Sequence, residues 1–263
     1  MYQHFPRPDL YVGRCGSLEA ALTEHRIPGA PEFMRGLSAL FIADTHVLRR
    51  TTAAQLDAFA ERIAGIAPEL LLLGGDYSDD AEGAARLFDA LAGLTFPLGA
   101  FGVVGNNDSE AWAGCLYKLR KRMARADCRL LVNESARLKR RGGTLWIAGV
   151  DDHRHGNPVA AGLYPARPRD DIYRILLSHF PILPDIKPDL MLSGHTHGGQ
   201  FNLLGLTPFA IGFERLKPRL PSVAISGLFG IDGMKLLVSK GVGASRIQLR
   251  VGARPEINLL RFE

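Results

Sequence analysis

Short apolar runs that each end in a polar, glycine-flanked cluster recur along this chain. They constrain its fold more than any other feature. Residues 37–43 (LSALFIA) lead into Asp44-Thr45-His46, and residues 70–73 lead through Gly74-Gly75 into Asp76-Tyr77-Ser78-Asp79. Residues 98–104 lead into Gly105-Asn106-Asn107-Asp108. Apolar runs this short, bounded by turn residues, read as buried strands. Between them, residues 55–66 set Leu56, Phe59, Ile63 and Ile66 at helical spacing, and residues 84–94 are helical again. Strand, helix, strand, helix, strand is the pattern of a parallel sheet with crossover helices. The rest of the chain is richer in strands. After a basic helix over residues 112–126, strands are predicted at 130–132, 136–139, 144–150, 172–177, 190–192, 235–239, 247–251 and 257–260. The runs at 172–177 and 190–192 are followed by Ser178-His179 and Gly194-His195-Thr196-His197. The count favours two stacked sheets flanked by helices, in one domain over residues 1–263 with residues 1–36 as an N-terminal strand or extension.

Five polar clusters therefore stand at the carboxyl ends of predicted strands, the rim that lines the ligand crevice in α/β sheets. Their side chains are carboxylates, imidazoles and amides. Hydrolysis of a phosphate ester needs a nucleophile at neutral pH and positive charge against a crowded anion. Two divalent ions about 3.5–4 Å apart supply both, bridging a hydroxide and clamping the phosphoryl oxygens. Imidazole nitrogen and carboxylate oxygen suit manganese, iron or zinc, and the chain offers no soft sulfur set. Its three cysteines, Cys15, Cys115 and Cys128, are scattered and lack Cys-x-x-Cys spacing. That argues against a disulfide framework and for a reducing compartment. The first residues show no basic stretch followed by an apolar core, and no apolar run approaches the roughly 20 residues that span a bilayer. The expectation is a soluble cytoplasmic protein. A net charge of +5 suits an anionic substrate, a nucleic acid or an anionic membrane face, and does not choose among them.

In this order, D-x-H, G-D-x-x-D, G-N-x-D, a lone S-H and G-H-x-H resemble the calcineurin-like metallophosphoesterase superfamily. The ending is similar to one bacterial branch: His195-Thr196-His197-Gly198-Gly199-Gln200, then residues 236–243 (LLVSKGVG), then Arg254-Pro255-Glu256-Ile257. Residues 176–181 (LLSHFP) and 149–152 (GVDD) fit the same branch. The resemblance runs from about Leu37 to the C-terminus and implies a four-layer α/β/β/α sandwich. It also implies that Asp44, His46, Asp76 and His197 hold one metal ion, and that Asp76, Asn106, His179 and His195 hold a second, with Asp76 as the bridge. The implied activity is metal-dependent phosphoesterase, acting on a small phosphorylated substrate.

One motif departs from the pattern. Relatives usually carry histidine after the G-N pair, where it contacts the phosphate and protonates the leaving oxygen. Here the residue is Asn107, which can donate a hydrogen bond but cannot transfer a proton. Members of the superfamily with other residues at this position act on diesters or pyrophosphates, so a phosphodiesterase or pyrophosphohydrolase is favoured over a monoesterase. Asn107 and Asp79 are the expected catalytic residues. Asp79 matches the last position of G-D-x-x-D, which in relatives orients the histidine that this chain lacks.

Several readings stay open. A scaffold that retains a vestigial metal site is one alternative, although seven intact ligand positions exceed what a scaffold needs. A nuclease or nucleic-acid-binding protein is another, prompted by Lys118, Arg120, Lys121, Arg122, Arg125 and Arg129. That stretch lacks the interleaved aromatics a single-strand binder uses for base stacking, and it reads more simply as a solvated helix face. Asp80 reads as solvated, and Asp108 as bonded to backbone N–H groups of its own loop. Asp152, His153 and Arg154 follow a strand, as a surface turn or a substrate-facing loop. Residues 201–220, rich in Pro, Phe and Leu, read as a lid or as packing on the second sheet.

Overall fold

A computed structural model describes residues 10–112, 115–165, 170–203, 206–207 and 225–263. Two mixed six-stranded sheets form its framework. The first has the order β2 (Ala21–Ile27), β14 (Glu256–Phe262), β3 (Ser38–Ile42), β4 (Leu70–Leu73), β5 (Ala100–Gly102), β6 (Cys128–Leu130). The second has the order β11 (Gly227–Ile231), β12 (Met234–Val238), β10 (Leu190–Ser193), β9 (Ile172–Leu177), β8 (Gly143–Gly149), β7 (Glu134–Arg140). β1 (Val12–Arg14) pairs antiparallel with β13 (Leu249–Val251) in a separate ribbon.

Strand alternation explains the layers. Ala39, Phe41, Leu70, Leu72, Phe101 and Val103 face the second sheet and pack with Leu145, Ile147, Ile175, Leu177, Leu190 and Leu192. The intervening Leu40, Ile42, Leu71 and Leu73 face outward onto helices. Those helices are α1 (Ala53–Ile66), α2 (Ala81–Leu91) and α4 (Leu116–Arg125). They bury Leu56, Phe59 and Ile63, then Leu87 and Phe88, then Leu119 and Met123 in the same cluster. The outer face of the second sheet carries Ala148, Leu176, Met191, Leu236 and Val238, packed with Tyr164, Leu183 and Ile186.

Within each sheet the central strands run parallel, β3-β4-β5 in the first and β8-β9-β10-β12 in the second. Their carboxyl ends therefore share an edge, and the polar segments follow there. Capping locks two helices in register. Thr52 and Gln55 form a reciprocal capping box at the start of α1, and the Asp80 side chain accepts from Gly83 N at 2.7 Å at the start of α2. Asp80 is thus a helix cap that also pairs with Arg49 at 3.1 Å, not a merely solvated carboxylate; Asp and a missing first-turn N–H partner fit each other.

The basic helix, α4, is shorter than its sequence pattern, and a separate short helix, α3 (Asn106–Ala111), precedes it. Of its charges, Arg120 reaches Glu134 at 2.7 Å and Arg122 reaches Asp89 at 3.6 Å. Arg129, just beyond the helix, also reaches Glu134 at 3.3 Å. Part of this surface is therefore already neutralised within the chain. The proposed lid over residues 201–220 falls largely outside the described residues. Among the described residues no helix is long and apolar enough to cross a membrane.

Candidate metal centre

All seven candidate ligands lie at the shared carboxyl edge. Asp44 and His46 follow β3, Asp76 follows β4, Asn106 opens α3 after β5, His179 follows β9, and His195 and His197 follow β10. They are buried or nearly so: Asp44, His46, Asp76, Asn106, His179 and His197 are each at most 6% exposed. Buried ionisable groups at this density need partners, and here they are mostly one another.

The backbone is unusual at these positions. Asp44, His46, Asp76, His195 and His197 all have positive φ, between 40° and 69°. A side chain with a Cβ disfavours that region, and such strain persists where surrounding structure imposes it. Glycines make the crowding feasible: a Cβ on Gly194 would strike the Asp44 carboxylate, and one on Gly105 would strike that of Asp76.

Hydrogen bonds outside the cluster aim the rings. His46 Nδ1 pairs with Asp79 Oδ1 at 2.7 Å, and His179 Nδ1 donates to the Gly74 carbonyl at 2.9 Å. Each contact fixes a proton on Nδ1 and leaves Nε2 facing inward. Both Nε2 atoms then approach one oxygen, Asp76 Oδ2, at 3.6 Å from His46 and 3.4 Å from His179. His195 Nδ1 lies 3.3 Å from His179 Nε2, and its ring stacks on Phe180 with centroids 3.8 Å apart. Asp44 holds the His195 loop, accepting from His195 N at 3.0 Å, and faces His197 Nε2 at 3.8 Å.

Two triads bring one ligand atom from each residue within 4.8 Å of one another, Asp44–His46–His197 and Asp44–Asp76–His179. Asp44 is common to both, while Asp76 lies between the histidines of the two. His46 Nε2 and Asn106 Oδ1 are buried without a hydrogen-bond partner. Buried polar atoms are rarely left so, and a cation would satisfy both. The donor set therefore fits a divalent metal ion.

The electrostatics agree. Burial raises Asp44 to about 6. Burial opposes ionisation of Asp76 too, but the facing His179, His46 and His195 outweigh it and hold Asp76 well below the carboxylate range. Burial works against a charge on His179, yet Asp76 and Asp44 lift it to about 10. His46 is raised against burial by Asp79, Asp76 and Asp44. Burial pushes His195 and His197 down. Protons on His46 and His179 thus occupy the role a cation would take.

His197 departs from this scheme. Its Nδ1 faces Arg250 Nη2 at 3.0 Å, and a guanidinium can only donate. Binding a cation through Nε2 requires that contact to rearrange. Arg250 is fully buried and also donates through Nε to the Gly243 carbonyl at 2.7 Å.

Asp79 has a partner after all: besides His46, its Oδ1 accepts from Asn107 Nδ2 at 3.0 Å. Asp108 reaches beyond its own loop. It accepts from Gly105 N at 2.9 Å, Asp76 N at 2.7 Å and Tyr77 N at 3.0 Å, tying α3 to the Asp76 turn. The substrate-loop expectation divides. Asp152 is fully buried and accepts from Arg154 N at 3.2 Å and His155 N at 2.8 Å. It caps its own loop and is not a cavity residue; two adjacent backbone N–H groups capture its oxygens. His153 packs on Phe180, with centroids 5.7 Å apart. Arg154 does line the cavity.

That cavity, ≈ 410 Å³, opens onto Asp76, Asn106, His195 and His197, with Asp79 and Asn107 in its wall. Residues 245–247 and Phe201 close it elsewhere.

A buried carboxylate–imidazole cluster at the carboxyl edge of two parallel-stranded sheets, open to a solvent cavity, defines a candidate metal-dependent hydrolase site. The chain belongs to the calcineurin-like phosphoesterase family, whose pattern matches residues 37–199. It is 28% identical over 251 residues to the metallophosphoesterase YkuE of Bacillus subtilis, covering 92% of this chain and 85% of that protein. YpbG of the same organism is 30% identical over 234 residues, 85% of this chain and 80% of its own. The phosphodiesterase YaeI of Escherichia coli is 27% identical over 270 residues, 99% of this chain and 92% of its own.

Proposed function

We propose that this chain is a binuclear metal-dependent phosphoesterase that hydrolyses phosphodiester or pyrophosphate bonds. Asp44, His46, Asp76 and His197 would hold one ion, and Asp76, Asn106, His179 and His195 the other. The observation that carries the reading is Asp76 Oδ2, set between His46 Nε2 at 3.6 Å and His179 Nε2 at 3.4 Å. A carboxylate there would serve two ions at once. Manganese, iron or zinc fits the nitrogen and oxygen donors. Bound there, such ions supply a nucleophile at neutral pH and neutralise charge on the phosphoryl group.

The protein's own groups do the rest. Asp79 holds the His46 ring, and Asp108 holds the turn that carries Asp76. Arg154, in the cavity wall, is placed to bind phosphoryl oxygens as a charged donor. Asn107 can donate a hydrogen bond from the same wall but cannot protonate a leaving oxygen, which supports diesters and pyrophosphates over alkyl monoesters. The likeness to YaeI, named a phosphodiesterase, over 99% of this chain supports the same choice. A single domain and a cytoplasmic location complete the reading.

The test is a screen of diesters, pyrophosphates and monoesters with added manganese, on the unmodified protein and Asp76→Ala. Turnover of a diester or pyrophosphate that falls by orders of magnitude in the variant is expected. Near-unmodified activity in Asp76→Ala would refute the site, and no turnover by either protein would favour a scaffold.

A further inference from the structure

Arg246 lines the same cavity as the candidate metal ligands, and its φ is +57°. Glycine takes that conformation freely, whereas an arginine there strains the backbone. The neighbouring structure holds the strain in place. Gln200 Nε2 donates to Ser245 O at 3.1 Å and to Ile247 O at 2.8 Å, and its Oε1 accepts from Ser245 N at 3.1 Å. One side chain, three residues after His197, therefore clips both flanks of Arg246. Arg246 is exposed and has no ion-pair partner among the described residues. Arg154 lines the same cavity from another loop, the one that follows β8. Glu110, the wall's added carboxylate, faces His155 at 2.9 Å. The cavity thus presents two cations on separate loops, and the loop at Arg246 is braced.

We infer that Arg246 forms a second anion subsite that binds the phosphate adjacent to the one attacked, so that the substrate class is a pyrophosphate-linked compound rather than a simple diester. This rests on the phosphoesterase reading above. The chemistry balances: the oxygen of one water ends on the attacked phosphorus, and the P–O–P bond breaks with its electron pair on the bridging oxygen. Two phosphate monoesters result, and the water's protons pass to solvent or to product oxygens according to pH. A phosphate leaving group departs as an anion, which a guanidinium stabilises without proton transfer. Arg246 thereby accounts for a site whose Asn107 cannot act as an acid.

Calorimetric titration of the manganese-loaded protein with methylenediphosphonate, a non-hydrolysable pyrophosphate analogue, and with orthophosphate tests it. Arg246→Gly removes the cation and relieves the backbone, so folding is preserved. It should weaken methylenediphosphonate on the order of 10-fold while orthophosphate changes less than about 2-fold. Arg246→Lys should fall between. Unchanged methylenediphosphonate affinity in Arg246→Gly overturns the subsite, and so does an equal loss for both ligands. Binding is read without turnover. A protein that hydrolyses nothing yet shows the selective loss would refute the function and keep the subsite, and the converse result would do the reverse.

Discussion

Replacing Asp79 separates orientation from ligation, because Asp79 touches no ligand cluster except through the His46 ring. Its Oδ1 accepts hydrogen bonds from His46 Nδ1 at 2.7 Å and from Asn107 Nδ2 at 3.0 Å. Asp79→Ala leaves His46 free to rotate or to carry its proton on Nε2, the atom that faces Asp76. Loss of such a partner weakens metal binding by about 10- to 100-fold, or about 1.4–2.7 kcal/mol. The Asp79 side chain is 47% exposed, so solvent screens the pair and the lower end applies. The melting temperature of the metal-free protein should fall only modestly, because Asp79 helps hold the proton of buried His46 but is itself half exposed. Asp79→Asn keeps an oxygen that can accept from Nδ1, and its loss should be smaller. Manganese titration of metal-free protein, with melting curves of all three forms, reads both effects. Unchanged affinity in Asp79→Ala would refute the orienting role; a collapse of the metal-free fold would show that Asp79 acts on structure instead.

Asn107→His should raise the ratio of monoesterase to diesterase kcat/KM, since it restores a proton donor within reach of Asp79; a ratio that stays constant between p-nitrophenyl phosphate and its bis ester would contradict this. Metal binding should release protons at pH 8, because Asp76 holds His179 up to about 10 and His46 is also raised; calorimetry in buffers of different ionisation enthalpy measures the number. In the metal-free protein the same raised His179 contributes stability that is present below its unfolded value of 6.5 and is lost as pH rises through about 10. Melting temperature should therefore decline across that window, and a flat profile would count against the His179–Asp76 contact.

The central strands and their polar ends were legible because buried parallel strands are continuous apolar runs. Ile172–Leu177 and Leu70–Leu73 fall where the sequence places them. Ala21–Ile27 lay within an N-terminal strand or extension whose position the sequence did not fix: it is an edge strand alternating half-buried and exposed residues such as Glu24 and Arg26, with no apolar run to mark it. Asn106–Ala111 was hidden because Asn-Asn-Asp reads as loop, and Asp108 capping Gly105 N makes it a helix. At the site, residue types and order pointed to every candidate ligand. The left-handed backbone at Asp44, His46, Asp76, His195 and His197 was not readable, since Asp and His visit that region more often than most residues but only tertiary contacts decide where. Arg250 gave no signal either. A lone arginine in a strand pattern reads as solvent-facing, and its full burial depends on carbonyls brought by distant segments.

The most direct test of the central claim is the number of ions each chain holds. Protein saturated with manganese, desalted and measured by elemental analysis should carry about two ions per chain, because Asp76 faces both His46 and His179 and each side has further candidate ligands. A value near one or zero would contradict a binuclear centre.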